Sequence, residues 1–582
     1  MKKLFLIISM LTTVLIGTES WAKDNKFDVY LFIGQSNCAG RGPMLSADTL
    51  HQLFGVSLLD NKGKPVPATA PMNRFSNIRK EIGMQMMGPA YEFSQLMHSY
   101  TGKDILIVQN ARGGSAMKSW QVGGDGTYSY TDSAIVRTRQ ALRYGTLKGI
   151  VWHQGETDIQ EKSTGNIYME RFKKMIDYLR KELGVGNEVP VIVGEVGRWK
   201  WHDMSEINAF NETTLTTLTQ VVPNCHKVSS EGLARRYKDK ENDPHFSRDA
   251  QIELGRRYAD AMLPLVSDCY VTKFKDGKQA AISFTYDDGL SEHYDLVAPE
   301  LEKRGFRGSF WIIGNNVGMK ETPNGGRLNW EQIREMANRG HDMGSHTWDH
   351  AHITQMKDEK ALLAEFEKVD SAFISNGLPK PTTVAYPFNG VNRHVRTIAE
   401  KGRIATRVRQ VGHGENNNKT TPEKLSKWLR STIDSGDWGV TMTHGIKKGY
   451  DIWFHPEWLW NFYDEVKAKE DSVWVGTFAE VGAYIAEREH TAFTQKIKNG
   501  SIIVEPKQCD KYSSMVDSEI TRLDPALFNQ PLTLRINGAF EGETVTARQG
   551  KKSLEVENRG KYLLINVNPY GGKVKITHSK CK

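Results

Sequence analysis

The chain has few cysteines. Five of them (Cys38, Cys225, Cys269, Cys509 and Cys581) in 582 residues are too sparse for a disulfide-built scaffold, and the odd number leaves at least one unpaired. Long apolar runs are equally scarce. Past the N-terminal segment, no stretch approaches the roughly 20 apolar residues that span a bilayer. The net charge is +8, but the basic residues are scattered and form no stripe of the kind that tracks nucleic acid. No internal repeat is present. These absences exclude a disulfide-rich minidomain, a polytopic helical membrane protein, a repeat solenoid and a polybasic nucleic-acid binder.

What is present describes an ordinary globular chain, 39% hydrophobic and 25% charged. At 582 residues it exceeds the roughly 250–300 at which single cores stop growing, so several domains are expected. Lys2 and Lys3 head an apolar run from Leu4 to Gly17, and Ser20-Trp21-Ala22 follows with small residues at the cleavage positions. Residues 1–22 therefore read as a bacterial export signal, and the expected location is periplasmic or secreted.

Three blocks follow. Residues 23–268 alternate short strands (Asp28–Ile33, Ile105–Gln109, Gly149–His153, Pro190–Glu195) with amphipathic stretches such as Ile167–Leu183. That alternation predicts an α/β/α three-layer sandwich on a parallel sheet. Residues 269–489 alternate again, with strands near Ala280–Thr285, Ser309–Ile313, Thr383–Tyr386, Ile404–Arg407, Val440–Thr443 and Val473–Val475. A (β/α) barrel, complete or distorted, suits them. Residues 490–582 carry short strands, including Ser553–Glu557, between Asn-Gly, Gly-Lys and Gly-Gly turns, and predict a small β-sandwich. Cys509 and Cys581 bracket that segment and are placed to close it. Cys38 reads as a small buried residue, because no pattern around it activates a thiol.

Polar motifs cluster after the strands, where open α/β sheets put ligands. In the first block Gly34-Gln35-Ser36-Asn37 ends a strand, and Arg112-Gly113-Gly114-Ser115 and His153-Gln154-Gly155-Glu156 end two others. Asp243-Pro244-His245 precedes a helix. A serine hydroxyl needs a base and oxyanion donors, and these segments contain both. Together they resemble the SGNH-hydrolase group of carbohydrate acetylesterases, carbohydrate esterase family six, over residues 27–265. The resemblance implies Ser36 as nucleophile and His245 as base. It implies an oxyanion hole from the amides of Ser36 and Gly114 and the side chain of Gln154. The family's acid usually stands three residues before the histidine, where this chain has Asn242. Either Asp243 orients the imidazole or another acid helps a Ser36–His245 dyad, with Glu156 as a brace.

The second block has Tyr286-Asp287-Asp288-Gly289 at a strand end, then His346-Thr347-Trp348-Asp349-His350, then Met442-Thr443-His444. Two adjacent carboxylates strain each other unless a cation intervenes. Histidines four apart are spaced to share one face of a helix. With Ala385-Tyr386-Pro387-Phe388-Asn389-Gly390, this set resembles the polysaccharide deacetylases (NodB-homology, carbohydrate esterase family four) over residues 278–487. The resemblance implies Asp288, His346 and His350 as ligands of a divalent metal, zinc first, with cobalt and nickel also suited. It implies Asp287 as base and His444 as acid; Asp434, Asp437 and Trp438 are the residues of this sequence placed to support His444, with the choice among them open. Ala385 stands where many members carry an arginine that tethers the base, and the orientation of Asp287 is left open.

Both resemblances imply removal of acetyl groups from sugars, with an acetylated polysaccharide, xylan foremost, as the substrate partner. The missing arginine favours esters, since a hydroxyl is expelled more easily than an amine. N-deacetylation of chitin-like or peptidoglycan sugars is the rival enzymatic reading, and a carbohydrate-binding protein with inactive folds is the non-enzymatic one.

Overall fold

The structure, a computed structural model, describes residues 27–121, 129–508, 512–513, 519–520 and 523–580. The expected export signal, Cys509 and Cys581 lie outside the described residues. Cys38, Cys225 and Cys269 are free and buried.

The first sheet has seven strands: β1 (Phe27–Gly34), β2 (Val56–Leu59), β3 (Pro65–Pro67), β4 (Asp104–Ala111), β5 (Gly145–His153), β6 (Val191–Gly194) and β7 (Cys225–Val228), in the order β3-β2-β4-β1-β5-β6-β7. All neighbours are parallel except β2 and β3. Alternation along β1 builds two cores. Val29, Leu31 and Ile33 pack with Phe172 and Ile176 of the helix Asn166–Leu183. Tyr30 and Phe32 pack with Phe93 of Ala90–Thr101 and Tyr258 of Arg248–Val266 on the other face. A strand buried on both faces has to be apolar, as β1 is from Val29 to Ile33. The helix Asn166–Leu183 stops where its periodicity does, at left-handed Gly184 behind Arg180 and Lys181.

The chain then makes β8 (Cys269–Val271) and enters the second block. Here β9 (Ala280–Ser283) and β10 (Thr285–Tyr286) are separated only by Phe284. They are followed by β11 (Ser309–Ile312), β12 (Asp342–Ser345), β13 (Thr383–Ala385), β14 (Ala405–Arg407), β15 (Val411–Gly412), β16 (Trp438–Met442) and β17 (Val473–Val475). Two parallel sheets result, β10-β11-β12-β13-β14 and β15-β16-β9-β17. They meet where Tyr286 bridges Thr443, while β14 and β15 lie in different sheets, so the barrel is distorted and open at that seam.

The last block has two larger antiparallel sheets over one core that includes Val504, Leu534, Ile565 and Ile576, and a two-stranded pair, Tyr512–Ser513 with Glu519–Ile520. The strand expected at Ser553–Glu557 is two strands, Lys552–Leu554 and Val556–Asn558, each in a different sheet. Strand β8 pairs with Leu532–Asn537, so the C-terminal sheet takes in a strand that precedes the barrel in the chain. At Asn499-Gly500 both residues have positive φ (49° and 69°), the geometry a tight hairpin turn demands. The first two blocks are joined by buried charge: Arg488 donates to Asp260 at 2.8 Å and to the Tyr100 hydroxyl at 3.0 Å, and Arg256 pairs with Glu489.

Candidate active sites

In the first block the register sets the site. Gly34 at the end of β1 faces Ala111 of β4 on one side and His153 of β5 on the other. The segments after these three strands therefore leave the sheet side by side. Gly34 has φ 136°, and a Cβ there would strike the His153 carbonyl, so only glycine fits the turn that presents Ser36.

Ser36 Oγ lies 3.0 Å from His245 Nε2, and His245 Nδ1 lies 2.5 Å from Asp243 Oδ1. The acid two residues before the histidine thus reaches the imidazole, and Asn242 is displaced onto the exposed loop. Arg236 holds the second Asp243 oxygen at 2.8 Å. Burial favours the neutral acid, but Arg236 and His245 outweigh it and keep Asp243 below the ordinary carboxylate range. Burial lowers His245 below the ordinary imidazole range, and Asp243 offsets this only in part. A neutral imidazole beside a hydroxyl can take its proton near neutral pH.

Asn37, fully buried, ties the loops together. Its amide nitrogen donates to Glu156 at 2.5 Å and to the Pro244 carbonyl at 3.0 Å, and its oxygen accepts from the Phe246 amide at 3.3 Å. Glu156 is therefore a brace for the histidine loop. Burial pushes the Cys38 thiol above its usual range, which leaves it unreactive at neutral pH.

Gln154 departs from the sequence expectation. Its amide nitrogen faces Gln35 Oε1 at 3.0 Å, the Ser115 carbonyl at 3.1 Å and Asp158 Oδ2 at 2.5 Å. Two protons among three internal acceptors leave none for an oxyanion. Gln154 instead holds the Arg112–Ser115 turn against the serine loop. The Ser36 amide opens the short helix Ser36–Ala39, where an N–H has no helical partner. Gly114, with φ 71°, sits on the adjoining turn.

In the second block the residues leave the C-terminal ends of barrel strands. Asp287 and Asp288 follow β10, His346 follows β12 and His444 follows β16. The Asp287 amide donates to the Thr443 carbonyl at 3.0 Å, which puts Asp287 and His444 on neighbouring ends. Asp288 Oδ1 is 3.6 Å from His346 Nε2 and 3.7 Å from His350 Nε2.

The two histidines do not share a helix. They stand on the loop after β12, where Thr347 (φ 64°) and His350 (φ 54°) are left-handed. Helical spacing is replaced by a turn that folds one imidazole back on the other. Asp288 is left-handed too, at φ 75°. Such backbone strain in non-glycine residues gathers where a site requires it. Glu365 steadies the loop by accepting the Trp348 and Asp349 amides at 3.1 and 3.0 Å.

The donor set suits a divalent cation. Ligand bonds of about 2.0–2.2 Å separate neighbouring ligand atoms by roughly 3.0–3.6 Å, close to the spacing found. Asp288 Oδ1 is buried without a hydrogen-bond donor among the described residues. His346 Nδ1 lies 2.8 Å from the Ala385 carbonyl, which turns Nε2 toward the other two ligand atoms.

Asp287 is oriented by Arg407. The guanidinium donates to both carboxylate oxygens, at 2.7 and 2.5 Å, and to Thr285 Oγ1 at 2.9 Å. Burial opposes the charge on Asp287, but Arg407 overrides it and holds the carboxylate well below its usual range. Its place at the end of the strand expected at Ile404–Arg407 was the available signal for this residue. His444 is half-buried, its ring 5.2 Å from Tyr450, and its carbonyl accepts from His293 Nε2 at 2.7 Å. None of its expected supports touches it. Asp437 faces Arg257 at 3.4 Å, Trp438 donates to Ser283 at 3.0 Å, and Asp434 lines a cleft of about 710 Å³ between the blocks.

Residues 26–264 match the family described as carbohydrate esterase, sialic acid-specific acetylesterase, and residues 274–405 match the family described as polysaccharide deacetylase. Three relatives are similar to parts of the chain. "Putative polysaccharide deacetylase YxkH" of Bacillus subtilis is 27% identical over 179 residues, 30% of this chain and 59% of that protein, less than two thirds of its length. "Probable carbohydrate esterase At4g34215" of Arabidopsis thaliana is 24% identical over 250 residues, 40% of this chain and 90% of that protein. "Peptidoglycan-N-acetylglucosamine deacetylase PgdA" of Listeria monocytogenes is 29% identical over 148 residues, 25% of this chain and 28% of that protein. No helix among the described residues is long and apolar enough to cross a membrane. Two family matches therefore stand in tandem on this chain, a carbohydrate esterase over residues 26–264 followed by a polysaccharide deacetylase over residues 274–405.

Proposed function

We propose that this protein is exported and strips acetyl groups from an O-acetylated polysaccharide, xylan foremost, with two independent sites. The observation that carries the reading is the Asp243–His245–Ser36 relay of 2.5 and 3.0 Å, beside a separate Asp288–His346–His350 cluster.

At the first site, Ser36 Oγ attacks the acetyl carbon while its proton passes to His245 Nε2. The carbonyl electron pair moves to oxygen and is met by the Ser36 and Gly114 amides. Collapse breaks the bond to the sugar oxygen, which takes the proton from His245. Water then releases acetate from Ser36 by the same route in reverse. Asp243 keeps the imidazole in the right tautomer and balances its transient charge.

At the second site a divalent cation, zinc foremost, would be held by Asp288, His346 and His350 and would polarise the acetyl carbonyl. Asp287, kept ionised and aimed by Arg407, accepts the proton of the attacking water. His444 gives a proton to the departing oxygen or nitrogen.

Arg407 removes the argument that a missing arginine restricts this site to esters. A second reading follows, in which the second site releases N-acetyl groups from amino-sugar polymers and the serine site clears O-acetyl groups from the same chains. The relative named for peptidoglycan deacetylation supports it.

Acetate release from acetylxylan, by the protein and by separate Ser36→Ala and Asp288→Ala variants, tests the first reading. Loss of part of the activity in each is expected, and full activity in both overturns it. Free amines from chitin oligomers, with acetylxylan untouched by the Ser36→Ala variant, select the second.

A further inference from the structure

The serine site contains a buried cation that nothing above uses. Arg41 is only 4% exposed. Among the described residues its hydrogen bonding is confined to Nη1 on the Gly40 carbonyl, at 2.6 Å, and it has no carboxylate partner. Its neighbour Arg236, by contrast, is neutralised by Asp243. Burial, and then the like charge of Arg236, lowers Arg41 to about 10, so it stays protonated at neutral pH. An unpaired buried charge is expensive, and proteins keep one where it has work to do.

Its placement points at the reaction. A Cβ built on Gly113 would lie 2.5 Å from Arg41 Nη2 and 3.7 Å from Ser36 Cβ. The guanidinium and the Ser36 side chain therefore both flank Gly113, on the glycine turn that carries the Gly114 amide. The backbone fixes it there. Gly40 has φ 95°, and a Cβ on it would collide with the Met86 and Met87 backbone at 2.4–2.8 Å; a Cβ on Gly42 would collide with Arg248 Cα at 2.9 Å. Gly42 and Met87 also exchange both backbone hydrogen bonds, at 3.1 and 3.0 Å. Arg41 thus stands between two tightly packed glycines, which hold its side chain against the Gly113 turn.

We propose that Arg41 is a catalytic residue of the serine site, its Nη2 donating to the oxyanion that forms when Ser36 Oγ adds to the acetyl carbonyl. It takes the place that Gln154 cannot fill, as a third donor beside the Ser36 and Gly114 amides. The acetyl oxygen carries little charge before the Oγ–C bond forms. It carries a full negative charge once the carbonyl pair has moved onto it and the Oγ proton has gone to His245. A buried cation without a counter-ion gains most at that moment, so it accelerates the step rather than tightening substrate binding. The assignment rests on the Ser36 mechanism proposed above.

The test uses the full chain and 4-nitrophenyl acetate, an uncharged ester, with the Asp288→Ala variant as background so that only the serine site acts. Arg41→Met is expected to lower kcat by about 100- to 1000-fold, as loss of one oxyanion donor does, with KM changed by less than about threefold. Affinity for a trifluoromethyl ketone, which forms the tetrahedral adduct on Ser36, should fall in parallel with kcat/KM. Arg41→Lys, which keeps the charge, should recover part of the rate and guards against misfolding of the methionine variant. The thermal midpoint of each variant reports on folding directly. If both Arg41 variants are folded and retain kcat, the proposal is overturned. Unchanged kcat with raised KM for sugars bearing a carboxylate also overturns it and makes Arg41 a substrate-recognition group. Ser36→Ala separates the two layers: if hydrolysis persists there, the underlying serine mechanism fails whatever Arg41 does.

Discussion

Arg407 and Ala385 are register partners on the adjacent parallel strands β14 and β13, and the guanidinium absent at Ala385 reaches Asp287 from Arg407. One step sideways in the sheet replaces one side chain by another, because parallel strands bring neighbouring positions to the same rim.

Arg407→Met is expected to lower turnover at the second site about 100-fold, the range in which a misoriented general base falls. Ester hydrolysis that resists chelators should be unaffected. Because the partner of a buried Asp287 is removed, the metal-free protein should lose roughly 3–5 kcal/mol of stability, read from urea midpoints. Arg407→Ala combined with Ala385→Arg moves the guanidinium back by one strand, and partial recovery of turnover would confirm that position, not residue number, matters.

Chelation should divide the two proposed activities. After exhaustive treatment with a strong chelator, acetate release from a soluble ester should persist, and Ser36→Ala should then reduce it at least about 1000-fold. Asp288→Ala and His346→Ala should fail to retain zinc through dialysis, measured by elemental analysis, while leaving the chelator-resistant rate intact.

The acid limb of the proposed serine activity should follow His245. Burial places this imidazole below the ordinary 6.5, so kcat/KM should hold through neutral pH and fall only on further acidification. Asp243 raises the His245 pKa. Removing its charge in Asp243→Asn should therefore move the limb to lower pH, while the plateau drops by up to about 10⁴-fold as the tautomer is lost. A limb moving upward would contradict the 2.5 Å pairing.

Glu487 predicts a pH-dependent loss of stability. It is fully buried in the helix Phe478–His490, one oxygen taking the Gln530 amide at 2.8 Å and the other without a donor among the described residues. Burial pushes it from 4.5 up to about 8. The folded protein therefore keeps a proton that the unfolded chain gives up. The stabilisation is fully present below about 4.5 and is lost as pH rises through about 8. Across that window the loss amounts to a few kcal/mol, on the order of 1.4 per unit. Glu487→Gln should flatten the dependence, with urea midpoints above those of the parent at about pH 8.5.

Much of this architecture is written in local sequence. The apolar run of β1, the helical periodicity of Asn166–Leu183 and the glycine turns of the last block each follow from burial or backbone freedom within a few residues. So do the polar motifs at strand ends, since uncompensated charge beside an apolar strand has few places to go. The sequence could name Ser36, His245, Asp288, His346 and His350 as a set, but it could not say which groups meet. That Asp243 and not a residue at position 242 reaches His245 depends on one loop, and that Gln154 is spent on Gln35, Ser115 and Asp158 depends on three segments meeting. Arg407 on Asp287, the left-handed turn that folds His350 onto His346, and strand β8 joining a sheet more than 250 residues downstream are likewise products of packing. Hydrogen bonds act over about 3 Å and take no account of distance along the chain, so partners are decided only when the strands have found their order.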